Sequence, residues 1–171
     1  MKTLFLLPIV SLLFIFSSCK KDSANNVTGT ITATVNGTSL SFNVEATAVL
    51  DTVRGNYGVA IIGLQSFSLS SKEITLAISG GSTPIAVGTY TDTSTVGRTV
   101  LIGYANAADS TAWSSTGTAP NISTVTITSL NSSQIQGTFN GQLELALGSN
   151  PGASTATVTN GSFNLHVTLA P

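Results

Sequence analysis

Apolar and polar residues alternate with a period of two along much of this 171-residue chain, as in strands that bury one face. Residues 30–35 alternate threonine with isoleucine, alanine and valine, and Asn36-Gly37 follows directly. Asn-Gly favours a two-residue hairpin turn because both residues tolerate a positive φ. Such a turn pairs Val35 with Thr38 and places the apolar residues of both strands on one face. The pattern therefore predicts a β-hairpin here.

The same period continues through later parts of the chain. It is longest in residues 134–147, where Asn140-Gly141 indicates a bend or a bulge. Shorter alternations cover residues 73–79 and 162–169. Each of these segments is predicted to be a strand with one face in water.

Two other segments, residues 59–64 and 100–105, are apolar in both phases. Such runs are typical of strands that lie centrally in a sheet or are covered on both sides. No helical period extends over ten residues. The predicted fold is all-β, an antiparallel β-sandwich of about eight or nine strands, and the alternative is a closed, lipocalin-like β-barrel.

The N-terminus has the pattern of a secretory signal peptide. Lys2 gives a positive start, residues 4–16 are almost entirely apolar, and two small serines precede Cys19. The apolar run is shorter than the roughly 17–25 residues that span a bilayer. We therefore expect a signal peptide at residues 1–18 and a domain that begins near residue 27.

Ser17-Ser18-Cys19 resembles the lipobox of bacterial lipoproteins. The resemblance implies cleavage before Cys19, acyl chains on its sulfur and amine, and a lipidated tether at 19–26 ahead of a single all-β domain at 27–171. Lys20 stands where aspartate would favour the inner membrane, so similarity to other didermic bacteria implies the outer membrane. The periplasmic or cell-surface face stays open.

Three short segments add a second resemblance. PIAVGTY at 84–90, QIQGTF at 134–139 and VTNGSF at 158–163 are similar to segments of an uncharacterised family of β-rich Bacteroidota outer-membrane lipoproteins, a domain of unknown function. The resemblance implies a location and a fold and supplies no activity.

Charge and cysteine usage exclude several functions. Charged residues make up 8% of the chain, against roughly a quarter in typical domains. From residue 27 onward three bases face six acids, a formal charge of −3. No basic footprint for nucleic acid is therefore present. Cys19 is the only cysteine, so no disulfide, cysteine zinc site or thiol nucleophile is predicted.

Candidate catalytic residues are sparse. His166 is the only histidine, and its phase in the last strand places it on the solvent face with Asn164. No GxSxG elbow is present, and the acids are spread along the chain without calcium-loop spacing. We predict no enzyme activity, no metal site and no cofactor.

Aromatic residues in or beside predicted loops are the candidate ligand contacts: Trp113, Tyr104, Tyr57 and Tyr90. Trp113 lies in a predicted loop at 105–119, among serines and Asp109. Aromatic faces ringed by hydroxyls suit sugar stacking or a protein partner. In the alternative, which we favour, Trp113 folds back and plugs one end of the sandwich.

Three Asp-Ser or Asp-Thr pairs match the short O-glycosylation motif known from the same phylum, with candidate attachment at Ser23, Thr52 and Ser110. The predicted function is a non-enzymatic cell-envelope lipoprotein with a binding or structural role at the outer membrane. Its expected partners are the membrane, through the lipid anchor, and a glycan or an envelope protein. The alternatives are an accessory glycan-binding module of a polysaccharide-uptake system and an anchored inhibitor of a hydrolase.

Overall fold

The computed structural model describes residues 29–52, 57–92, 99–115, 123–148 and 155–170. The predicted signal peptide, Cys19, the tether and Ser23 lie outside these residues. The described residues form eleven strands, and the prediction of an all-β fold is confirmed. The strands are β1 Thr30–Val35, β2 Thr38–Ser41, β3 Val44–Asp51, β4 Tyr57–Leu64, β5 Lys72–Gly81, β6 Gly88–Thr91, β7 Thr99–Asn106, β8 Thr111–Ser114, β9 Thr124–Leu130, β10 Gln134–Leu147 and β11 Thr155–Leu169.

The first hairpin has the predicted turn and register. Asn36 has a φ of 48° and Gly37 a φ of 78°, as a type I′ turn requires. Val35 pairs with Thr38 and Ala33 with Leu40. Ala33, Val35 and Leu40 are buried, so the turn and the apolar pattern specify the same pairing.

The strands form two layers that face each other across one core. By hydrogen bonding all eleven strands belong to one sheet. We call β2-β1-β11-β10-β9-β6 the first layer and β3-β4-β5-β7-β8 the second layer, because the buried side chains of these two groups meet in one core. Phe42, which leads from β2 toward β3, contacts Tyr104 of β7 edge to face, with ring centroids 6.5 Å apart. Ile31 of β1 likewise reaches toward Gly63 of β4.

The hairpin of β10 and β11 joins the two layers at both edges. β11 pairs with β3 through residues 167–169, and β10 pairs with β8 through residues 144–147. A ring of hydrogen-bonded strands results, which combines the layers of a sandwich with the closure of a barrel. The β3–β11 pairing is parallel, whereas every other pairing between the described strands is antiparallel.

β10 crosses between the layers near Asn140-Gly141, where a bend or a bulge is predicted. Its register with β11 shifts between Phe139 and Gly141, where Asn140 alone faces both Thr159 and Asn160. The extra residue of this bulge therefore lies in β11, where Asn160 has a φ of 51°. Before this point β10 pairs with β9, and after it with β8. Gly161 lies against the ring of Phe139, where a side chain on Gly161 would collide with that ring. The glycines of the QIQGTF and VTNGSF segments therefore make room for core aromatics.

The two runs that are apolar in both phases became the central strands β4 and β7. Their inward residues, among them Ile61 and Ile102, are buried. Their outward residues are not covered by any described part of the chain, and Leu101 is 41% exposed. The prediction of a central position is thus confirmed, and coverage of both faces is not seen.

Candidate interaction surfaces

Trp113 lies in strand β8, not in the predicted loop, and its side chain is 5% exposed. It pairs with Tyr104 of β7. The two rings stack with centroids 5.5 Å apart and planes 28° apart. Tyr104 is also buried. The interpretation of Trp113 and Tyr104 as ligand contacts is wrong, because both rings are used to fill the core.

Burial also affects the chemistry of this aromatic pair. Burial raises the pKa of the Tyr104 phenol, and the carboxylate of Asp109 raises the pKa further. The indole Nε1 of Trp113 is buried without a hydrogen-bond partner in the described structure. Trp113 therefore contributes through packing rather than through a hydrogen bond.

Tyr90 is a structural residue as well. It is buried in β6, where its hydroxyl donates to the carbonyl of Ala86 at 2.8 Å. The amide of Ala86 donates back to the Tyr90 oxygen at 2.9 Å. Tyr90 thus holds the connection between β5 and β6, and it is not a ligand contact.

Tyr57 differs from the other three aromatic candidates because it lines an open surface. It begins β4, is half-buried, and borders a shallow depression of about 480 Å³. Asp51, Ser79 and Leu101 also line this depression. The depression therefore brings an aromatic ring, a carboxylate and a hydroxyl to one open surface, and the ring also packs partly against the core.

The titratable side chains of the described residues are dispersed over the fold. His166 is exposed, and its cross-strand neighbour on β10 is Gln134, whose side-chain amide donates to Oδ1 of Asn164 at 2.8 Å. Asp51 ends β3, whereas Asp109 lies in the 3₁₀ turn Ala107–Asp109 at the opposite end of the second layer. The described residues contain no group of three or more His, Cys, Asp or Glu side chains placed to hold a metal.

Two of the three glycosylation candidates can be located. Thr52, directly after β3, and Ser110, directly after the 3₁₀ turn, are both exposed. Their positions leave the hydroxyls accessible to a transferase, and their modification remains a prediction.

The outer face of the second layer carries an apolar row. Its members lie on four neighbouring strands in direct register and are Val49, Ala60, Ala77 and Leu101. At a strand spacing of about 4.8 Å the row is roughly 15 Å long. None of its members is charged.

The outer face of the first layer carries a hydroxyl row instead. Its members lie opposite one another across six strands and are Ser41, Thr32, Ser162, Thr138, Thr126 and Thr89. The Thr32 and Ser162 hydroxyls lie 2.9 Å apart, and those of Thr89 and Thr126 lie 3.1 Å apart. The alternation in the sequence predicted which residues of these strands face solvent, but it did not predict that their hydroxyls align across the sheet. The repeated Thr-x-Thr spacing was the signal for this alignment.

No helix among the described residues is long and apolar enough to cross a membrane. The chain matches no protein-family model, no curated protein and no solved structure.

Proposed function

We propose that this chain is a non-enzymatic lipoprotein of the cell envelope, anchored at the outer membrane through Cys19, whose β-domain binds a protein partner. The apolar row on the second layer carries the binding role. The row is contiguous and apolar, and Asp51 lies at its border. Such a surface on a domain with so few charges is the chemistry of a protein contact.

The pattern of the sequence supports the same conclusion. Residues 59–64 and 100–105 have the composition of strands that are covered on both faces, yet the described chain covers one face only. A partner with a flat, uncharged apolar surface would cover the other face. The row contains alanines at Ala60 and Ala77, so a flat partner can approach closely along its centre.

A non-enzymatic role is supported by the surroundings of His166. An imidazole that acts as a general base needs a group that orients it and a nucleophile within reach. His166 lies on an exposed strand face opposite an amide, Gln134.

Photo-crosslinking in intact cells tests the binding role. A photoreactive amino acid at position 101 should yield an adduct with one protein, which mass spectrometry identifies. The same probe at position 138, in the hydroxyl row on the other layer, is the matched control and should yield no adduct. Ala77→Asp in the same chain should abolish the adduct at 101, because an unpaired charge would enter the contact. An adduct that survives Ala77→Asp would show that the row is not the contact.

A glycan-binding module is the second candidate, and the hydroxyl row favours it. Six aligned hydroxyls offer donors and acceptors at a regular spacing over roughly 24 Å, without charge. A neutral polysaccharide has hydroxyls that match such a surface.

For this candidate we expect the protein to bind neutral glycans on an array. Thr138→Val, which removes one central hydroxyl and keeps the side-chain shape, should weaken that binding about threefold to tenfold. Leu101→Asp on the opposite layer should leave it unchanged. Glycan binding that is indifferent to Thr138→Val, or no binding at all, would exclude the hydroxyl row as a glycan site.

A further inference from the structure

The connection between β4 and β5, residues 65–71, presents two apolar side chains directly to solvent. Phe67 is 78% exposed and Leu69 is 99% exposed. The remaining five residues are Gln65 and four serines, so the segment carries no charge. We call residues 65–71 the Phe67 tip. Two large apolar side chains this exposed at one hairpin tip indicate a contact with something outside the described domain.

The polar groups of the Phe67 tip are bonded to one another. The Ser71 amide donates to the Ser68 carbonyl at 3.0 Å, and the Ser66 amide donates to the Ser71 hydroxyl at 3.1 Å. The Ser70 amide donates to the Ser68 hydroxyl at 3.2 Å. The serines therefore provide hydrogen-bond partners for some of the backbone groups of the tip. These bonds lower the desolvation free energy that the tip would cost on entering a less polar medium.

The base of the tip is also held firmly. The Gln65 amide donates to the carbonyl of Lys72 at 2.8 Å, and the Ala107 amide donates to the carbonyl of Ser71 at 3.1 Å. The second bond ties the tip to the turn that follows β7. These backbone hydrogen bonds hold the loop that carries Phe67 and Leu69 in a defined position on the domain.

The tip lies near the point at which the chain enters the domain from Cys19. Gly29 packs against the carbonyl of Ala46 in β3. β3 begins at Val44, which pairs with Leu64, the residue directly before the tip. Gly29 is the tenth residue after Cys19, and a chain of that length reaches at most about 35 Å. An anchor at Cys19 therefore holds this end of the domain within reach of the bilayer.

We propose that the Phe67 tip inserts Phe67 and Leu69 into the bilayer surface as a second, non-covalent membrane contact. This inference rests on the proposed anchoring at Cys19. The lipid is a zwitterionic phospholipid, because the charged residues at this end, one lysine and three acids, sum to a formal charge of −2 and disfavour an anionic surface. They are Lys72, Glu45, Glu73 and Asp109. Insertion would fix which end of the domain faces the membrane and leave both layers free to bind.

Fluorescence quenching tests the insertion with the lipidated protein in phosphatidylcholine vesicles that contain brominated lipid. Phe67→Trp places a reporter at the tip, and brominated lipid should quench its emission. Val87→Trp is the matched control, because Val87 is 60% exposed and follows the opposite end of β5. Leu69→Ser added to Phe67→Trp should shift the insertion equilibrium by about tenfold and reduce the quenching.

Equal quenching of F67W and V87W would overturn the insertion. Retention of the wild-type circular dichroism spectrum is expected for each variant, because all three side chains are exposed. Thiol titration of the same preparation reports on the anchor separately. A free Cys19 thiol would contradict the proposed lipoprotein, whereas a blocked thiol without quenching of F67W would contradict only the tip contact.

Discussion

Replacing Cys19 with alanine is expected to abolish retention of the protein in the membrane fraction. Each buried methylene of an acyl chain contributes about 0.8 kcal/mol, so two or three chains hold a protein almost permanently. Alanine has no sulfur to acylate. Fractionation of cells should find the variant either unprocessed or released, and mass spectrometry of the wild-type N-terminal peptide should find acyl groups on Cys19.

Ser18→Ala is the matched control for this change. It keeps a small residue before the cysteine, so processing and membrane retention should be preserved. Membrane-bound wild-type protein with an unmodified Cys19 would contradict the anchor.

Trp113→Ala should lower the free energy of unfolding by about 3–5 kcal/mol, the cost of truncating a large aromatic side chain in a core. Trp113 is 5% exposed and stacks on Tyr104, so its removal opens a cavity between β7 and β8. Urea denaturation followed by circular dichroism measures the loss.

Trp113→Phe separates packing from hydrogen bonding. The phenyl ring keeps an aromatic contact with Tyr104, and no hydrogen bond is lost because Nε1 has no partner in the described structure. We therefore expect a distinctly smaller loss than for alanine. A change of less than about 0.5 kcal/mol for Trp113→Ala would be the behaviour of a surface residue and would contradict the core role.

Local patterns predicted those parts of the fold that local chemistry determines. The Asn36-Gly37 turn and its flanking alternation specified both conformation and register, because turn type and apolar phase agree. The irregularity near Gly141 was visible as an Asn-Gly pair within a long strand, but its extra residue lies in the partner strand β11, which the pattern of β10 alone does not indicate.

The remaining features depend on contacts between distant segments. Strands β6 and β8 have four residues each, too few for an alternation to stand out, so eight or nine strands were expected where eleven are described. The parallel pairing of Val167 with Ala48 joins residues far apart in the chain, and no local pattern marks it.

The candidate surfaces show the same division. The local sequence around Trp113 predicted a loop, because it gives no sign that Trp113 pairs with Tyr104 of β7. This pairing places Trp113 in a strand and directs its ring into the core. The solvent-facing residues of each strand could be predicted from its alternation. The alignment of Thr32, Ser162 and Thr138 into one row depends on the strand order, which the alternation does not give.

The position of β11 has a consequence for the order of folding. This strand pairs with β1, β3 and β10, and its partners in β1 and β3 lie more than a hundred residues earlier in the chain. The ring cannot close until residues 155–169 are available, because β11 joins β10 to β3. The loop-closure entropy of those distant pairings must be overcome late, which is typical of slow folding with a high contact order. The amides of β11 should then be among the last to exchange with solvent, because they are released only when the whole ring opens.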